Sequence, residues 1–421
     1  MHERRSIQKQ EDGKREKFMA ERLFDHAVDR SSDHSLKYHA GPMLSDPKMI
    51  PLWIADMDFA APKAVRDALE KRCALGVFGY TAPWDKYLQA VQNWMKSRHH
   101  TAIEKDWIVT APGIVPAIKI LIQALTKEED PILIFPPVYH PFKNSIEELN
   151  RTLVCSPLKE ENGIYSIDFE NLETQLKEKK VRMVIFCSPH NPTGNVWAKE
   201  DLQRLAALCK KYDIVLVSDE IHMDFDPDHR HTTMLEADPT IADQLVLCTA
   251  PSKTFNLAGL QDSNLIIPDV TIRKAVGKTM SRCGMGEANV LGLVACQTAY
   301  EHGAEWVDEL NACIRENARF IQKYLEEHIP EIRMAIPQGT YLFWLDCRGL
   351  QMSDEELHDF FLNKAHLWLN DGVMFGQEGS GFMRLNPACP RSTLKRALDQ
   401  LADAWNEKKK NQIPIGDLSL R

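Results

Sequence analysis

Four short, continuous apolar runs in the middle of the chain constrain its fold more than any other feature. They are PILIF (Pro131–Phe135), VRMVIFC (Val181–Cys187), IVLVS (Ile214–Ser218) and LVLCT (Leu245–Thr249). Strands that are buried on both faces of a parallel sheet have this pattern. Stretches with apolar residues at helical spacing alternate with these runs: Ile114–Thr126 precedes the first run, and Lys199–Tyr212 lies between the second and the third. The alternation predicts an α/β fold with a mainly parallel central sheet and right-handed crossovers.

The pattern changes near residue 304, where a smaller α+β unit is predicted to begin. Its predicted elements are a long helix at Ala304–His328, a strand at Gly339–Asp346, a helix at Ser353–Lys364, a strand at Phe382–Asn386 and a last helix at Thr393–Lys408. We therefore predict four parts: an N-terminal arm (1–23), a segment associated with the small domain or the active site (24–60), a large domain (61–303) and a small C-terminal domain (304–421).

The composition narrows the classes of function. The chain has 421 residues, which suits two domains of common size. A net charge of −9 disfavours a general nucleic-acid surface, and no apolar run approaches the roughly 20 residues of a membrane span. The ten cysteines include no CxxC pair, and the histidines at 99–100 and 229–231 lack a third ligand at metal-binding spacing. We predict a cytoplasmic protein that has no metal site and binds neither nucleic acid nor membrane.

Lys253 is the candidate nucleophile. It lies within the motif APSKTFN (Ala250–Asn256), directly after the predicted strand that ends at Thr249. A lysine just past a core strand can be desolvated, which lowers its pKa and makes its amine reactive. A surface lysine in a turn is the alternative interpretation of this motif when it is taken alone.

Asp219 is the second candidate, because it directly follows the apolar run Ile214–Ser218. Open α/β sheets bind ligands at this end of their strands. A carboxylate there can pair with the pyridinium nitrogen of a cofactor and keep that nitrogen protonated. The alternative is a helix N-cap, since Asp is a favoured capping residue.

Two further segments suit the same kind of ligand. SPHNPTG (Ser188–Gly194) follows a predicted strand, and its Asn191 amide can bond a phenolic oxygen; a tight turn is the alternative. APGIV (Ala111–Val115) opens a predicted helix. There Gly113 permits close approach, and the free N–H groups at Ile114 and Val115 suit a phosphate.

Taken in order, Asn191-Pro-Thr-Gly, Asp219, Ser252-Lys253 and Arg384 closely resemble the motifs of fold-type-I pyridoxal-phosphate (PLP) enzymes of the class I/II aminotransferase superfamily. The motif WIADMDF (Trp53–Phe59) is similar to a signature of the MalY/PatB-type cystathionine β-lyases, which are C–S lyases. Similar segments of that subfamily match at Phe78–Thr81, Pro136–Tyr139, Ala250–Leu260, Phe375-Gly376, Gly381–Asn386 and Cys389–Arg391. The resemblance spans about Phe24 to Ala404 and implies the aspartate aminotransferase-like fold, with PLP bound by the large domain.

The resemblance implies a role for each matched residue of the cofactor site. Lys253 carries PLP as a Schiff base and is the catalytic residue, Asp219 binds the pyridine nitrogen, and Asn191 contacts the ring oxygen. Tyr139 stacks on the ring, with ordinary packing as its alternative. The phosphate side of the cofactor is implied to contact Gly113, Ile114, Val115 and Ser252.

The resemblance also implies substrate contacts and an assembly. Arg384 grips the substrate α-carboxylate with its bidentate fork, while a structural salt bridge is the alternative. Tyr80 reaches the phosphate across an interface, which implies a symmetric homodimer with shared active sites. Ala55 and Tyr80 are also assigned to substrate binding. The pocket is expected to draw on Trp53–Phe59, Tyr139, Tyr341 and the 375–381 loop.

Two positions depart from the pattern of many aminotransferases. His222 stands where a Tyr follows the Asp by three residues; we keep it among the cofactor-binding candidates without assigning a chemical role. Gln261 stands where an Arg follows the Lys by eight residues and neutralises the phosphate. The phosphate must therefore rely more on backbone N–H groups, Ser252 and Tyr80.

The resemblance implies β-elimination from L-cystathionine or a related cysteine S-conjugate, which yields a thiol, pyruvate and ammonia. A class I/II aminotransferase shares every cofactor residue, so that function stays open at this point. A non-catalytic regulatory protein on the same fold is a further alternative, although the intact Lys253 argues against it.

Overall fold

The computed structural model describes residues 24–412 except residue 229, so the predicted arm 1–23 and His229 lie outside the described residues. The strands in chain order are β1 (Ile50–Pro51), β2 (Ile108–Ala111), β3 (Pro131–Ile134), β4 (Thr152–Cys155), β5 (Lys159–Glu161), β6 (Ile164–Ser166), β7 (Met183–Cys187), β8 (Val215–Asp219), β9 (Leu245–Thr249), β10 (Ser263–Ile266), β11 (Phe343–Asp346), β12 (Leu367–Trp368), β13 (Asn370–Asp371) and β14 (Phe382–Leu385).

Helices alternate with these strands over most of the chain. They are α1 (Leu36–His39), α2 (Lys63–Ala74), α3 (Asp85–His99), α4 (Ile114–Leu125), α5 (Pro141–Glu148), α6 (Phe169–Glu178), α7 (Lys199–Lys211), α8 (Met234–Ala237), α9 (Pro251–Thr254), α10 (Val270–Arg282), α11 (Val290–His302), α12 (Ala304–His328), α13 (Asp354–Asp359) and α14 (Arg391–Gln412). No helix within the described residues is long and apolar enough to cross a bilayer.

A seven-stranded sheet with the order β2-β10-β9-β8-β7-β3-β4 forms the centre of the larger part. Strands β4, β3, β7, β8 and β9 run parallel, and β10 is antiparallel to both of its neighbours. The predicted mainly parallel sheet is therefore confirmed. All four apolar runs became strands, with ends that differ from the prediction by no more than two residues.

Strand β7 explains why the predicted strands are apolar throughout. Successive side chains point to opposite faces of a strand. Val184 and Phe186 belong to one hydrophobic cluster, while Met183 and Ile185 belong to a second one. The first cluster includes side chains of α3, α6, α7 and α11, and the second includes side chains of α4, α5 and α10. Helices cover both faces, so neither face of the strand needs polar residues.

The C-terminal part contains an antiparallel three-stranded sheet, β11-β14-β13, together with α12, α13 and α14. The strand predicted at Gly339–Asp346 is shorter than expected and begins at Phe343. Thr340 has a φ of +67° and its N–H bonds the Phe225 carbonyl, so the first residues of that stretch are not extended. The helix predicted at Ser353–Lys364 is α13 followed by a π-helical turn at Phe360–Lys364.

The segment before residue 60 packs against this C-terminal part. Strand β1 pairs in parallel with β12, through Ile50 with Leu367 and Pro51 with Trp368. The chain then continues as an irregular segment, in which Trp53 stacks on Trp368 with ring centroids 4.3 Å apart. The division into four parts drawn from the sequence stays a prediction.

Candidate active site

A cavity of about 480 Å³ opens at the carboxyl end of the central sheet. Its wall includes Cys187, the last residue of β7, and Asp219, the last residue of β8. Ser252 and Lys253, which lie just after β9, line the same cavity. Parallel strands bring their carboxyl ends to one edge of the sheet, so residues far apart in sequence meet there.

Asp219 lies at the carboxyl end of β8 and is buried, with 3% of its surface exposed. It accepts a hydrogen bond from the Ile221 N–H at 3.2 Å. Burial raises the pKa of the Asp219 carboxyl to about 7; Glu220 also raises it, while the Ile221 N–H and Lys253 lower it. A carboxylate in this setting is stabilised by any cationic group placed beside it.

Lys253 lies in the short helix α9, and its side chain extends into the cavity wall. Its Nζ donates a hydrogen bond of 3.0 Å to the Ala55 carbonyl. Burial, followed by the positive charge of Arg384, lowers the pKa of Lys253 to about 8, although Asp56 and Asp219 act in the opposite direction. A lysine with this pKa has a substantial neutral fraction near neutral pH and can act as a nucleophile or base.

The N-terminus of α4 forms another part of the wall. Gly113 precedes the helix with a φ of +107°, a conformation that L-residues rarely adopt. A Cβ added at Gly113 would lie 3.9 Å from Pro116 Cδ, so the φ rather than crowding calls for glycine here. Ile114 and Val115 supply the first helical N–H groups, whereas Pro116 has none, and such a helix start suits an anion. Gln261 lines the same cavity at the position of the expected Arg.

Arg384 approaches from β14 and is buried. Its Nη1 donates to Asn191 Oδ1 at 2.9 Å, and its Nη2 donates to Asn370 Oδ1 at 2.6 Å and to the Trp53 carbonyl at 3.0 Å. Burial lowers the pKa of Arg384 to about 10, so the guanidinium stays charged at neutral pH. Its three acceptors are uncharged oxygens, and no carboxylate of the described residues pairs with it, while the predicted contact with a substrate carboxylate stays a prediction.

Tyr139 and His222 contribute aromatic side chains to the cavity lining. His222 is buried, with its ring 6.1 Å from the Tyr341 ring, and its Nδ1 has no hydrogen-bond partner among the described residues. Burial, followed by the charges of Lys253 and Arg384, lowers the pKa of His222 to about 3. The imidazole is therefore neutral at physiological pH.

The structure brings together every predicted site residue except Tyr80. The predicted residues that line the cavity are Ala55, Gly113, Ile114, Val115, Tyr139, Asn191, Asp219, His222, Ser252, Lys253 and Arg384. Tyr80 is 96% exposed on the single chain and is absent from this lining. Its role as a contact to the phosphate of a neighbouring subunit stays a prediction.

The expected outline of the pocket needs correction. Tyr341 and the 375–381 loop do not belong to the described lining. Tyr341 lies behind the wall, where its hydroxyl donates to the Ala55 carbonyl at 3.1 Å, and Phe375 packs 4.8 Å from the Arg384 guanidinium. Of the segment Trp53–Phe59, only its first three residues line the cavity. Tyr341 and Phe375 therefore lie behind the residues that line the cavity and contact those residues instead of the cavity itself.

Sequence reasoning missed His140, Asp262 and Asn370, which also line the cavity. His140 follows Tyr139 directly, and Asp262 follows Gln261, so their neighbours in sequence were a usable signal. Asn370 had no such signal, because it lies 14 residues before Arg384 and meets it only through the pairing of β13 with β14.

Comparison with known proteins identifies the family. The model of aminotransferase class I and II matches residues 47–401. The chain belongs to the class I and II aminotransferase family. Cystathionine beta-lyase PatB of Bacillus subtilis (strain 168) is 40% identical over 383 residues, which cover 90% of this chain and 99% of PatB.

Two solved structures share the fold of this aminotransferase-family chain. A PLP-bound putative aminotransferase from Clostridium difficile 630 is 38% identical with a TM-score of 0.88, covering 91% of this chain and 100% of that one. The PLP-bound C-S lyase from Staphylococcus hominis is 31% identical with a TM-score of 0.86, covering 92% and 99%. The predicted family and fold are confirmed.

The residues of the cavity fit the cofactor that these two relatives hold. The donor set contains an amine at Lys253 for an aldehyde and a buried carboxylate at Asp219 for a ring nitrogen. Asn191 uses its Oδ1 for Arg384, which leaves its Nδ2 group as a donor for a phenolic oxygen. The start of α4 at Gly113 accommodates a phosphate, as expected for an aminotransferase-family site.

Proposed function

We propose that the protein is a PLP-dependent carbon–sulfur β-lyase. It cleaves L-cystathionine or a related cysteine S-conjugate, consumes one water, and releases a thiol, pyruvate and ammonia. The observation that carries this proposal is the placement of Lys253 and Asp219 on one cavity whose wall also holds Arg384. The similarity to the cystathionine β-lyase PatB over nearly the whole chain supports the reaction class.

The residues of the chain divide the work of the reaction. When bound, PLP supplies an electron-accepting ring that stabilises negative charge at the substrate Cα. Asp219 holds a proton on the ring nitrogen, and Lys253 both anchors the cofactor and removes the Cα proton as a general base. The lowered pKa of Lys253, about 8, suits a base that works near neutral pH. Arg384 holds the substrate α-carboxylate.

The remaining predicted residues orient the cofactor. We assign the phosphate to Ser252 and to the start of α4 at Gly113, Ile114 and Val115, and we assign ring stacking to Tyr139. His222 is neutral at physiological pH because the pKa of its imidazole is lowered, so it adds no positive charge behind the ring. That leaves Lys253 and Arg384 as the charged donors of the site.

We further propose that the active protein is a homodimer and that it works in the cytoplasm. The stretch between α2 and α3 leaves Leu75, Val77, Phe78 and Tyr80 more than half exposed on the single chain. Contiguous exposed apolar residues are typical of a surface that another protein covers. A second copy would bury them and bring Tyr80 to the phosphate of its neighbour, where the expected Arg is replaced by Gln261.

An aminotransferase is the second candidate, because one similar solved structure is named a putative aminotransferase. The two functions separate in one assay. The purified holoenzyme is given L-cystathionine with no 2-oxo acid, and pyruvate and thiol are measured. A lyase releases both in equal amounts, and Lys253→Ala releases neither. Activity that appears only after a 2-oxo acid is added would contradict the lyase and support the aminotransferase.

A further inference from the structure

The acceptors around Arg384 are all electrically neutral. They are the side-chain amide oxygens of Asn191 and Asn370 and the backbone carbonyl of Trp53, at 2.9, 2.6 and 3.0 Å. The face of Phe375 lies 4.8 Å from the guanidinium carbon. Buried charges in proteins are normally paired with a group of opposite charge. This guanidinium is instead held firmly in place while its charge is left uncompensated.

The charge of Arg384 changes the pKa values of neighbouring groups. The positive charge of Arg384 contributes to lowering the pKa of Lys253, of His140 and of His222, all of which line the same cavity. A carboxylate next to Arg384 would cancel this effect over the distances of a small cavity. The positive charge of Arg384 therefore acts within the cavity and can attract an anionic group of a ligand.

Asn370 occupies the position from which a counter-ion would act most directly. It lies on β13 opposite Arg384 on β14, in a directly paired antiparallel register. Side chains of directly paired residues lie on the same face of the sheet, close enough to interact. Asn370 is buried, and its amide oxygen makes the shortest of the three contacts to the guanidinium. An Asp would have nearly the same shape and would add a full negative charge.

We propose that Asn370 is a positioning residue that determines affinity for the substrate carboxylate. Its neutral amide orients the Arg384 guanidinium and leaves the positive charge available for the α-carboxylate of an amino acid. This inference rests on the proposed function, because it takes an amino acid as the substrate. It predicts that an Asp at position 370 forms an ion pair with Arg384 and thereby weakens binding of the ligand carboxylate.

The test compares Asn370→Asp with wild type as holoenzymes. In the pyruvate assay with L-cystathionine, KM should rise by about tenfold or more, since an adjacent negative charge opposes the substrate carboxylate, while kcat changes less than KM. Calorimetric titration with propionate, a carboxylate without an amine, should show a similar loss of affinity. Asn93→Asp is the matched control, because Asn93 is exposed on α3 and its amide oxygen accepts only from Gln89 Nε2.

Asn370→Ala separates the charge from the geometry. It removes the acceptor without adding a charge, so propionate affinity should fall less than in Asn370→Asp. Wild-type propionate affinity in Asn370→Asp, or equal losses in both variants, would overturn the inference. A wild-type enzyme that releases no pyruvate would contradict the proposed function, while the propionate titrations would still decide the role of Asn370. Unchanged far-ultraviolet circular dichroism in each variant shows that the fold is retained.

Discussion

At the scale of single residues, Asp219 and Lys253 have pKa values displaced towards each other. Burial raises the pKa of Asp219 to about 7 and lowers the pKa of Lys253 to about 8. Desolvation disfavours the charged form of either group, which explains the opposite directions. Ionisable groups with pKa values shifted in this way cluster at functional sites. Burial of the charged Asp219 carboxylate also lowers the stability of the fold, and a neutral substitution at this position can reveal that loss.

Asp219→Asn should therefore lower activity and raise stability. Activity should fall by about 10²- to 10⁴-fold, the range for loss of an acid–base function. The folded-state pKa of Asp219 lies above its unfolded value of 3.8, so burial destabilises the wild type progressively as pH rises from about 4 to 7 and fully above 7. In urea unfolding of the cofactor-free protein, the variant should gain on the order of a few kcal/mol at pH 8.

The pH dependence of that gain is the decisive feature. It should shrink as pH falls from 7 towards 4, because the wild-type carboxyl then becomes protonated in the folded state. The Asn amide oxygen can still accept from the Ile221 N–H, so the local hydrogen bond survives. An equal gain at pH 5 and pH 8 would show that the change acts through packing rather than through titration.

At the scale of elements, the irregular segment after β1 is held by side chains rather than by strand pairing. Buried backbone groups need partners, and outside a sheet or helix these come from side chains. Asn386 Nδ2 donates to the Ile54 and Asp56 carbonyls, and Lys253 Nζ and Tyr341 OH both donate to the Ala55 carbonyl. The segment is thus fixed to α9 and to the residues next to β11 and β14, and its backbone forms part of the surroundings of the reactive lysine.

Lys37 is fully buried beside this segment, with no exposed side-chain surface. Its Nζ lies 2.8 Å from Asp58 Oδ1 and 2.9 Å from the Asp56 carbonyl. Lys37→Met should destabilise the protein by about 3–5 kcal/mol in urea unfolding, because it leaves a buried carboxylate poorly compensated. The matched control is Lys63→Met, which breaks the exposed Lys63–Asp67 pair and should cost less than about 1 kcal/mol.

A double variant tests the reason for that loss. In Lys37→Met the Asp58 carboxylate keeps its longer ion pair of 3.4 Å with Arg30 Nη1. Adding Asp58→Asn removes this poorly compensated charge and should recover part of the lost stability. If the double variant is no more stable than Lys37→Met, then lost packing of the lysine side chain, rather than the poorly compensated carboxylate, would explain the effect.

At the scale of the whole molecule, the proposed dimer makes each site depend on two chains. A hybrid dimer of one Tyr80→Ala subunit and one Lys253→Ala subunit can be co-expressed and purified through two different tags. If Tyr80 serves its neighbour, one of the two sites is intact and the other carries both changes. The hybrid should then have about half of wild-type activity, well above either parent dimer.

The hybrid of wild type with Lys253→Ala is the control and should also show about half of the activity. If Tyr80 acts within its own chain, the double hybrid should show only about half of the activity of the Tyr80→Ala dimer, because its second site lacks Lys253. A monomer in light scattering, combined with full activity, would contradict the shared site altogether.

The sequence alone was sufficient for features that depend on local pattern. Continuous apolar runs predict a parallel sheet because its strands are buried on both faces, as in β7. Asp219, Lys253 and Asn191 were found because each follows such a strand, and parallel strands end at one edge of the sheet. The family motifs then added Tyr139 and Arg384, whose positions no periodicity reveals.

Only the tertiary structure decided which groups touch. The Ala55 carbonyl contacts Lys253 across 198 residues of sequence, and Asn370 meets Arg384 through the register of β13 with β14. The sequence likewise did not predict that His222 is buried and neutral, or that Tyr341 lies behind the cavity wall. Local pattern specifies which elements form, whereas contacts and pKa values depend on distant segments packing together, and the resulting burial sets their electrostatics.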